Sequence, residues 1–489
     1  MEQKNKKKIS TQTIIKLLLA VVLLGLSAFL LKGDVWTFWT WWLLAGVMGF
    51  AAMPVTGRLF WRFEDKGWIF SKVLAIAATG FLTWFLTAIR LIPFNALTCA
   101  AVTILCAVIC FFLLRKESKE KTECFPVDRI SLIYWEELLF FLAFLMWTYL
   151  AGFRPAAYGT EKFMDYGFME AMMRSTTLPA RDLWYSEGHI NYYYGGQYFA
   201  VFLTKLSHTK VELTYNLMRT FVAGLAFAMP FSLVYQMMSD RMKGLQKSEK
   251  VIKGLPFAAG FTAGTAVSIA GNMHYVIYAQ IIPLIEKLTG KEVSSYWFPD
   301  ATRYIGYNPY REEDRTIHEF PCYSFVLGDL HAHVVNIMFV LLVIALLYVW
   351  LRGVRKKTVP VETSMKDGKF WKEQLLMPHL LVISALLGMF QWTNFWDFVI
   401  YYVVTLGTVL FANIIRFQGK IKKIMVVTFA QMAEIYLLAY LVILPFTLQF
   451  DTMVDGIGIA KYHSYFYQLL VLWGLPAVLT ITFVITILW

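Results

Sequence analysis

Two stretches of this 489-residue chain concentrate side chains that could do chemistry. The first, GTEKFMDYGFMEAMMRS, sets Glu161 and Asp165 four residues apart, with Lys162 beside them. On a helix the two acids share a face. Such carboxylates act as general base, metal ligand or electrostatic partner of a cation. The plainer reading is a solvated amphipathic helix. The second stretch, HEFPCYSFVLGDLHAH, holds His318, Glu319, Asp329, His331 and His333. Asp329 and His333 align on a helix, and Asp329, His331 and His333 point one way in an extended chain. Either geometry suits a divalent cation with mixed oxygen and nitrogen ligands. Asp329, His331 and His333 are therefore the candidate metal ligands. The competing reading is a set of interfacial polar residues at a helix start. HEFPC is no metalloprotease motif, because proline stands where the HExxH helix would continue.

Three further groups accompany these. WYSEGHINYYYGGQ carries His189, Asn191, Tyr192, Tyr193 and Tyr194. A tyrosine offers an apolar ring and a hydroxyl tip, which suits sugar or headgroup contact and equally an aromatic belt. QWTNFWD sets Asn394, Trp396 and Asp397 at membrane depth, where a carboxylate is usually paired or functional. Arg219 lies about one turn inside an apolar run. There it either snorkels outward or faces a cavity and meets an anionic phosphate.

The elements that must position these residues are membrane helices. The chain is 58% hydrophobic and 17% aromatic but only 16% charged, against about a quarter charged in a soluble protein. Its formal charge is +12. The basic residues sit in short clusters between apolar runs, as in cytoplasmic membrane loops, and this argues against nucleic acid as a partner. Of the five cysteines, Cys99, Cys106 and Cys110 share one apolar run, while Cys124 and Cys322 fall in separate loops. No disulfide framework or metal-finger spacing is visible.

A span needs about 20 mostly apolar residues. Runs of that size fall near 13–31, 35–55, 68–88, 96–114, 132–152, 214–238, 255–281, 331–351, 377–393, 396–414, 424–447 and 465–488. The expected fold is an all-α polytopic membrane protein with about twelve transmembrane helices. With the Lys-rich N-terminus in the cytoplasm, every strongly basic short loop falls inside. This holds only if the short apolar stretch 192–206 does not cross, so that stretch is expected to be re-entrant or to lie on the membrane surface. Long extracytoplasmic loops then cover 153–213 and 282–330, with a shorter one at 448–464. Two regions are expected: an N-terminal four-helix membrane region at 1–131, and a membrane core at 132–489. The last apolar run ends without a polar tail, which suggests C-terminal truncation.

The combination GTEKFMD, INYYYGGQ, HEFPCYSFVLGDLHAH and NFWD resembles the YYY-type integral membrane proteins of bacteria and archaea. PVTGRLFWRFEDKGW resembles the same family, so the likeness covers essentially the whole chain. Gln197 departs from it, standing where histidine is more often expected. In layout this family is similar to the GT-C membrane glycosyltransferases, whose first external loop carries an acid just after a helix. The resemblance implies a polyprenyl-phosphate sugar as donor, used at the extracytoplasmic face of the cell membrane. Asp165 becomes the catalytic acid–base residue, with Glu161 as second choice. Lys162 or Arg219 offsets phosphate charge, and the three tyrosines and Trp396 line a sugar pocket. His189, Asn191, His318, Glu319, Asn394 and Asp397 complete the candidate substrate-binding set. Two other classes use the same residues: a transporter or flippase for a lipid-linked substrate, and a non-catalytic membrane assembly protein.

Overall fold

The computed structural model describes residues 10–120, 124–243, 249–354, 365–452, 456 and 458–488. Seventeen α-helices follow one another, and no strand is present among the described residues, only two isolated bridges. They are α1 (Thr11–Leu31), α2 (Val35–Leu59), α3 (Trp68–Ala88), α4 (Ala96–Glu120), α5 (Ile130–Ala151), α6 (Lys162–Arg174), α7 (Gly195–Ser207), α8 (Val211–Met242) and α9 (Glu249–Ser268). There follow α10 (Ile282–Leu288), α11 (Pro321–Leu327), α12 (Ala332–Val354), α13 (Gly368–Leu375), α14 (Pro378–Thr393), α15 (Phe395–Phe417), α16 (Ile421–Thr447) and α17 (Phe466–Leu488). The all-α polytopic architecture is as expected, because only helices satisfy their own backbone within a bilayer.

Among the described residues, nine helical stretches are long and apolar enough to cross a membrane, or ten if the bent pair α13–α14 is one span. The difference from twelve apolar runs has three local causes. The runs at 13–31 and 35–55 form one continuous helical stretch, Thr11–Leu59. It must fold back, since Trp39 Nε1 donates to Ser27 Oγ at 3.0 Å, whereas twelve residues of straight helix span about 18 Å. The reversal falls at Lys32, whose φ is 51°. The run at 255–281 leaves the α-helix at Ser268 and resumes as a π-helical turn at Val276–Ile281. α14 has only 16 residues and meets α13 at a 52° bend.

The chain divides into two compact units, Met1–Ala263 with Asp329–Phe450, and Gly264–Gly328 with Asp451–Trp489. In the first unit α8 is the central helix, with 94% of its most apolar stretch buried. It packs on α5, α12 and α3. Gly224 makes the α5 contact close, since a Cβ there would lie 2.9 Å from Phe144 Cβ. α1 and α4 leave most of their apolar side chains exposed, as lipid-facing helices do. α7 covers most of the 192–206 stretch that is expected not to cross. Its 13 residues reach about 20 Å, short of the roughly 30 Å hydrocarbon core. It is buried on every face from Gly195 to Lys205, which a helix lying on the membrane surface could not be.

The second unit holds α10, α11, α17 and the loops around them. Tyr304, Ile305, Val471 and Leu472 form its small core. His274 stacks on Tyr278 at 4.4 Å, and Tyr278 shares a 2.7 Å hydrogen bond with Tyr304. Burial pushes the His274 imidazole down to about 4.

Candidate active site

The first unit brings Glu161 and Asp165 of the first chemical stretch together with Asp329 and His331 of the second. After α5 the chain turns through Gly159 and Thr160, both with positive φ. Glu161 is the N-cap of α6, and Asp165 lies in its first turn. The buried face of α6 reads Asp165, Phe168, Met169 and Met172. That is the i, i+3, i+4, i+7 stripe of an amphipathic helix. Asp165 therefore goes inward with the apolar residues and is 0% exposed.

Gln197, on α7, meets it there. Its Nε2 donates to Asp165 Oδ1 at 2.7 Å and to the Leu330 carbonyl at 3.0 Å. This bond ties α6 to the turn that carries Asp329 and His331 at the start of α12. Asp329 is 2% exposed, and the Thr160 hydroxyl donates to its carboxylate, 2.7 Å from each oxygen. His331 Nε2 lies 3.3 Å from Glu161 Oε2 and 3.6 Å from Asp329 Oδ2. The rings of His331 and His333 are 5.6 Å apart. Asp165, Glu161, Asp329 and His331 thus form one cluster.

Electrostatics follow from burial. Desolvation pushes the Asp165 carboxyl from an ordinary 3.8 up to about 8. The His331 charge and the Gln197 bond pull it down, and the charges of Asp329 and Glu161 push it up. Burial likewise carries the Tyr192 phenol up to about 12, with Asp165 and Glu161 adding to it. Burial holds the Lys162 ammonium below its ordinary range; Asp329 opposes this, while Arg219 and Arg154 reinforce it. Arg219 does not snorkel. It is 2% exposed and donates to Asn216 Oδ1 at 2.9 Å. Tyr215 lies within electrostatic reach of both Asp165 and Asp329.

The tyrosine triplet has three separate roles in packing. Tyr192 lies against Phe168 of α6, with ring centroids 5.6 Å apart. Tyr193 packs on Phe395 and Phe450. Tyr194 is buried and accepts from Trp84 Nε1 at 3.0 Å. The two following glycines admit α7 to its place. A Cβ on Gly195 would lie 2.9 Å from the Trp392 carbonyl oxygen.

Other candidate residues fall elsewhere. His189 is exposed and bridges Arg181 through backbone. Asn191 borders a small cavity with Trp84, Tyr194 and Phe446. Asp397 lies in the first turn of α15 and accepts from Asn336 Nδ2 at 2.6 Å and Asn394 Nδ2 at 2.8 Å. Trp396 is 59% exposed. His318 and Glu319 belong to the second unit, where His318 bonds Thr316 at 2.7 Å and Glu319 accepts from Ser324 at 2.9 Å.

The proposed metal trio fits a cation by donor type; Asp329 also accepts from the Thr160 hydroxyl and lies 3.6 Å from His331 Nε2. The ring nitrogens of His331 and His333 lie close enough to share an ion, and no step below uses one.

The sequence patterns did not single out Thr160 or Tyr215, and they marked Gln197 only as a departure from a family habit. Also unforeseen is a buried polar group between α2, α3 and α5. Lys72, 0% exposed, pairs with Glu137 at 3.0 Å, and Trp42 and Trp68 donate to the same carboxylate at 2.7 and 2.8 Å. A lysine and a glutamate inside apolar runs were the available signal.

No curated protein and no solved structure matches the chain. A family model described as uncharacterized membrane protein (DUF2298) matches residues 78–489. Over five-sixths of its length, and in a fold of lipid-compatible helices, the chain belongs to that family of integral membrane proteins.

Proposed function

We propose that this protein is a membrane glycosyltransferase of GT-C type, using a polyprenyl-phosphate-linked sugar at the extracytoplasmic face of the cell membrane. One observation carries the reading. Asp165 is a fully buried carboxyl on a short helix in the first long loop after a span, and its proton affinity is set near neutrality. A general base works best with a pKa near the working pH. Asp165 takes the proton of an acceptor hydroxyl as that oxygen attacks the anomeric carbon. The bond from that carbon to the lipid phosphate breaks, and the phosphate leaves with its electron pair. Lys162 and Arg219, which feel one another's charge and that of Asp329, offset the charge on the departing phosphate. Tyr192 borders the acids and offers a ring to the sugar. An apolar cavity of about 540 Å³ between α2, α3, α4 and α14, lined by Val47, Ala51, Ala78, Ala107 and Ala385, suits a hydrocarbon chain.

The resemblance to YYY-type proteins and the GT-C layout support this reading. A second reading, a transporter or flippase for a lipid-linked substrate, draws on Lys72 and Glu137 at membrane depth, where ionisable pairs often mark transport paths. Proteoliposomes loaded with labelled polyprenyl-phosphate sugar and candidate acceptors separate the two. Covalent transfer of label supports the transferase. Movement of intact lipid with no transfer supports the transporter and overturns the first reading.

A further inference from the structure

We propose that Asp165 rests as a neutral acid in a cyclic pair with the Gln197 side-chain amide, its Oδ2 proton held by Gln197 Oε1. Both hydrogens of the Gln197 amide nitrogen have acceptors, Asp165 Oδ1 at 2.7 Å and the Leu330 carbonyl at 3.0 Å. This fixes which end of the amide is nitrogen, since a flipped amide would set its oxygen against two acceptors. Two atoms of the pair are then left over. Asp165 Oδ2 and Gln197 Oε1 are both buried, and neither has a hydrogen-bond partner among the described residues. Both residues are 0% exposed. A buried acceptor without a donor is destabilising. One proton removes both costs, because a protonated carboxyl gains an O–H donor. Carboxyl and amide then close a ring of two hydrogen bonds, N–H to Oδ1 and O–H to Oε1.

The charged and titratable groups facing Asp165 do not overturn this. His331 favours the carboxylate, while Asp329 and Glu161 oppose it. Tyr192 and Tyr215 lie within electrostatic reach. Burial is the largest effect, and it carries the carboxyl up to about 8.

The consequence for catalysis rests on the glycosyltransferase reading; the protonation state itself does not. A neutral Asp165 adds no negative charge to repel an arriving lipid phosphate. The carboxylate that serves as base forms only after the resting proton has left to solvent. Gln197 is a positioning residue, holding the acid in one rotamer and storing its proton.

Infrared difference spectra of purified protein in nanodiscs test the pair without any substrate. Wild type minus Asp165→Asn should show a protonated-carboxyl C=O band at neutral pH that shifts in D2O and fades with a midpoint near 8. In Gln197→Leu the band should move to higher frequency, because both carboxyl oxygens lose their partners. Gln197→Met, closer to glutamine in shape, serves as a second variant should the leucine protein fail to fold. A missing band at neutral pH, or a band indifferent to both variants, overturns the pair. The band with no sugar transfer counts against the glycosyltransferase reading alone; transfer without the band counts against the pair alone.

Discussion

Thr160 and Asp329 lie 169 residues apart in the chain, yet the threonine hydroxyl sits 2.7 Å from each oxygen of the aspartate. This contact fastens the loop after α5 to the turn before α12. Removing it leaves a 2%-exposed carboxylate short of a donor. Thr160→Val should therefore cost about 1–3 kcal/mol, read as a lower melting temperature in detergent. Thr160→Ser keeps the hydroxyl and should restore most of the loss. An unchanged melt for the valine variant would mean that the contact carries no stability.

The pair of glycines after the tyrosine triplet should differ in tolerance. A Cβ on Gly195 would meet the Trp392 carbonyl oxygen at 2.9 Å and Thr393 Cγ2 at 2.7 Å. On Gly196 the nearest atom would be Val335 Cβ at 3.2 Å, a less severe approach. Gly195→Ala should cost about 1–3 kcal/mol as an overpacked position, and Gly196→Ala less. Thermal unfolding of both variants checks the order, and the reverse order contradicts this account of how α7 docks.

Much of this was legible in the residues. Apolar runs of span length marked the membrane helices, and the four-residue spacing of Glu161 and Asp165 marked the start of α6, with Glu161 as its N-cap and Asp165 in its first turn. What apolar length could not show was where a helix stops. The reversal at Lys32 lies between two apolar runs, and the break after Ser268 falls inside one. Nor could spacing show that Asp165 heads the buried stripe of α6, because its polarity alone suggests solvent. Gln197 was visible only as an oddity, since its partner lies 32 residues away and on another helix.

The inside–outside assignment also has a direct check. From the basic loops, 153–213 is expected outside the cytoplasm and the α4–α5 connection inside. Tyr158 and Val127 are 87% and 72% exposed. In a cysteine-free background, Tyr158→Cys should react with a membrane-impermeant maleimide on intact cells, and Val127→Cys only after permeabilisation. The opposite pattern would invert the topology.

The raised proton affinity of Asp165 makes two signed predictions. As a base it works in the ionised form, so transfer should rise with pH and level off above about 8. For stability the sign is opposite. The folded state holds the proton where the unfolded state, at an ordinary 3.8, has lost it. This group's contribution is full below that ordinary value and falls away as pH rises to about 8. The melting temperature of Asp165→Asn should lack this component. An identical pH slope in wild type and variant would remove Asp165 as its source.

The central claim is that Asp165 is the base of a sugar-transfer site, and its most direct test compares wild type with Asp165→Asn in reconstituted vesicles. The substitution keeps the shape and removes the basic oxygen. With labelled polyprenyl-phosphate sugar, transfer should fall by about 10²–10⁴-fold, while the variant still folds and melts cooperatively. Full transfer by the folded Asp165→Asn protein would contradict the claim.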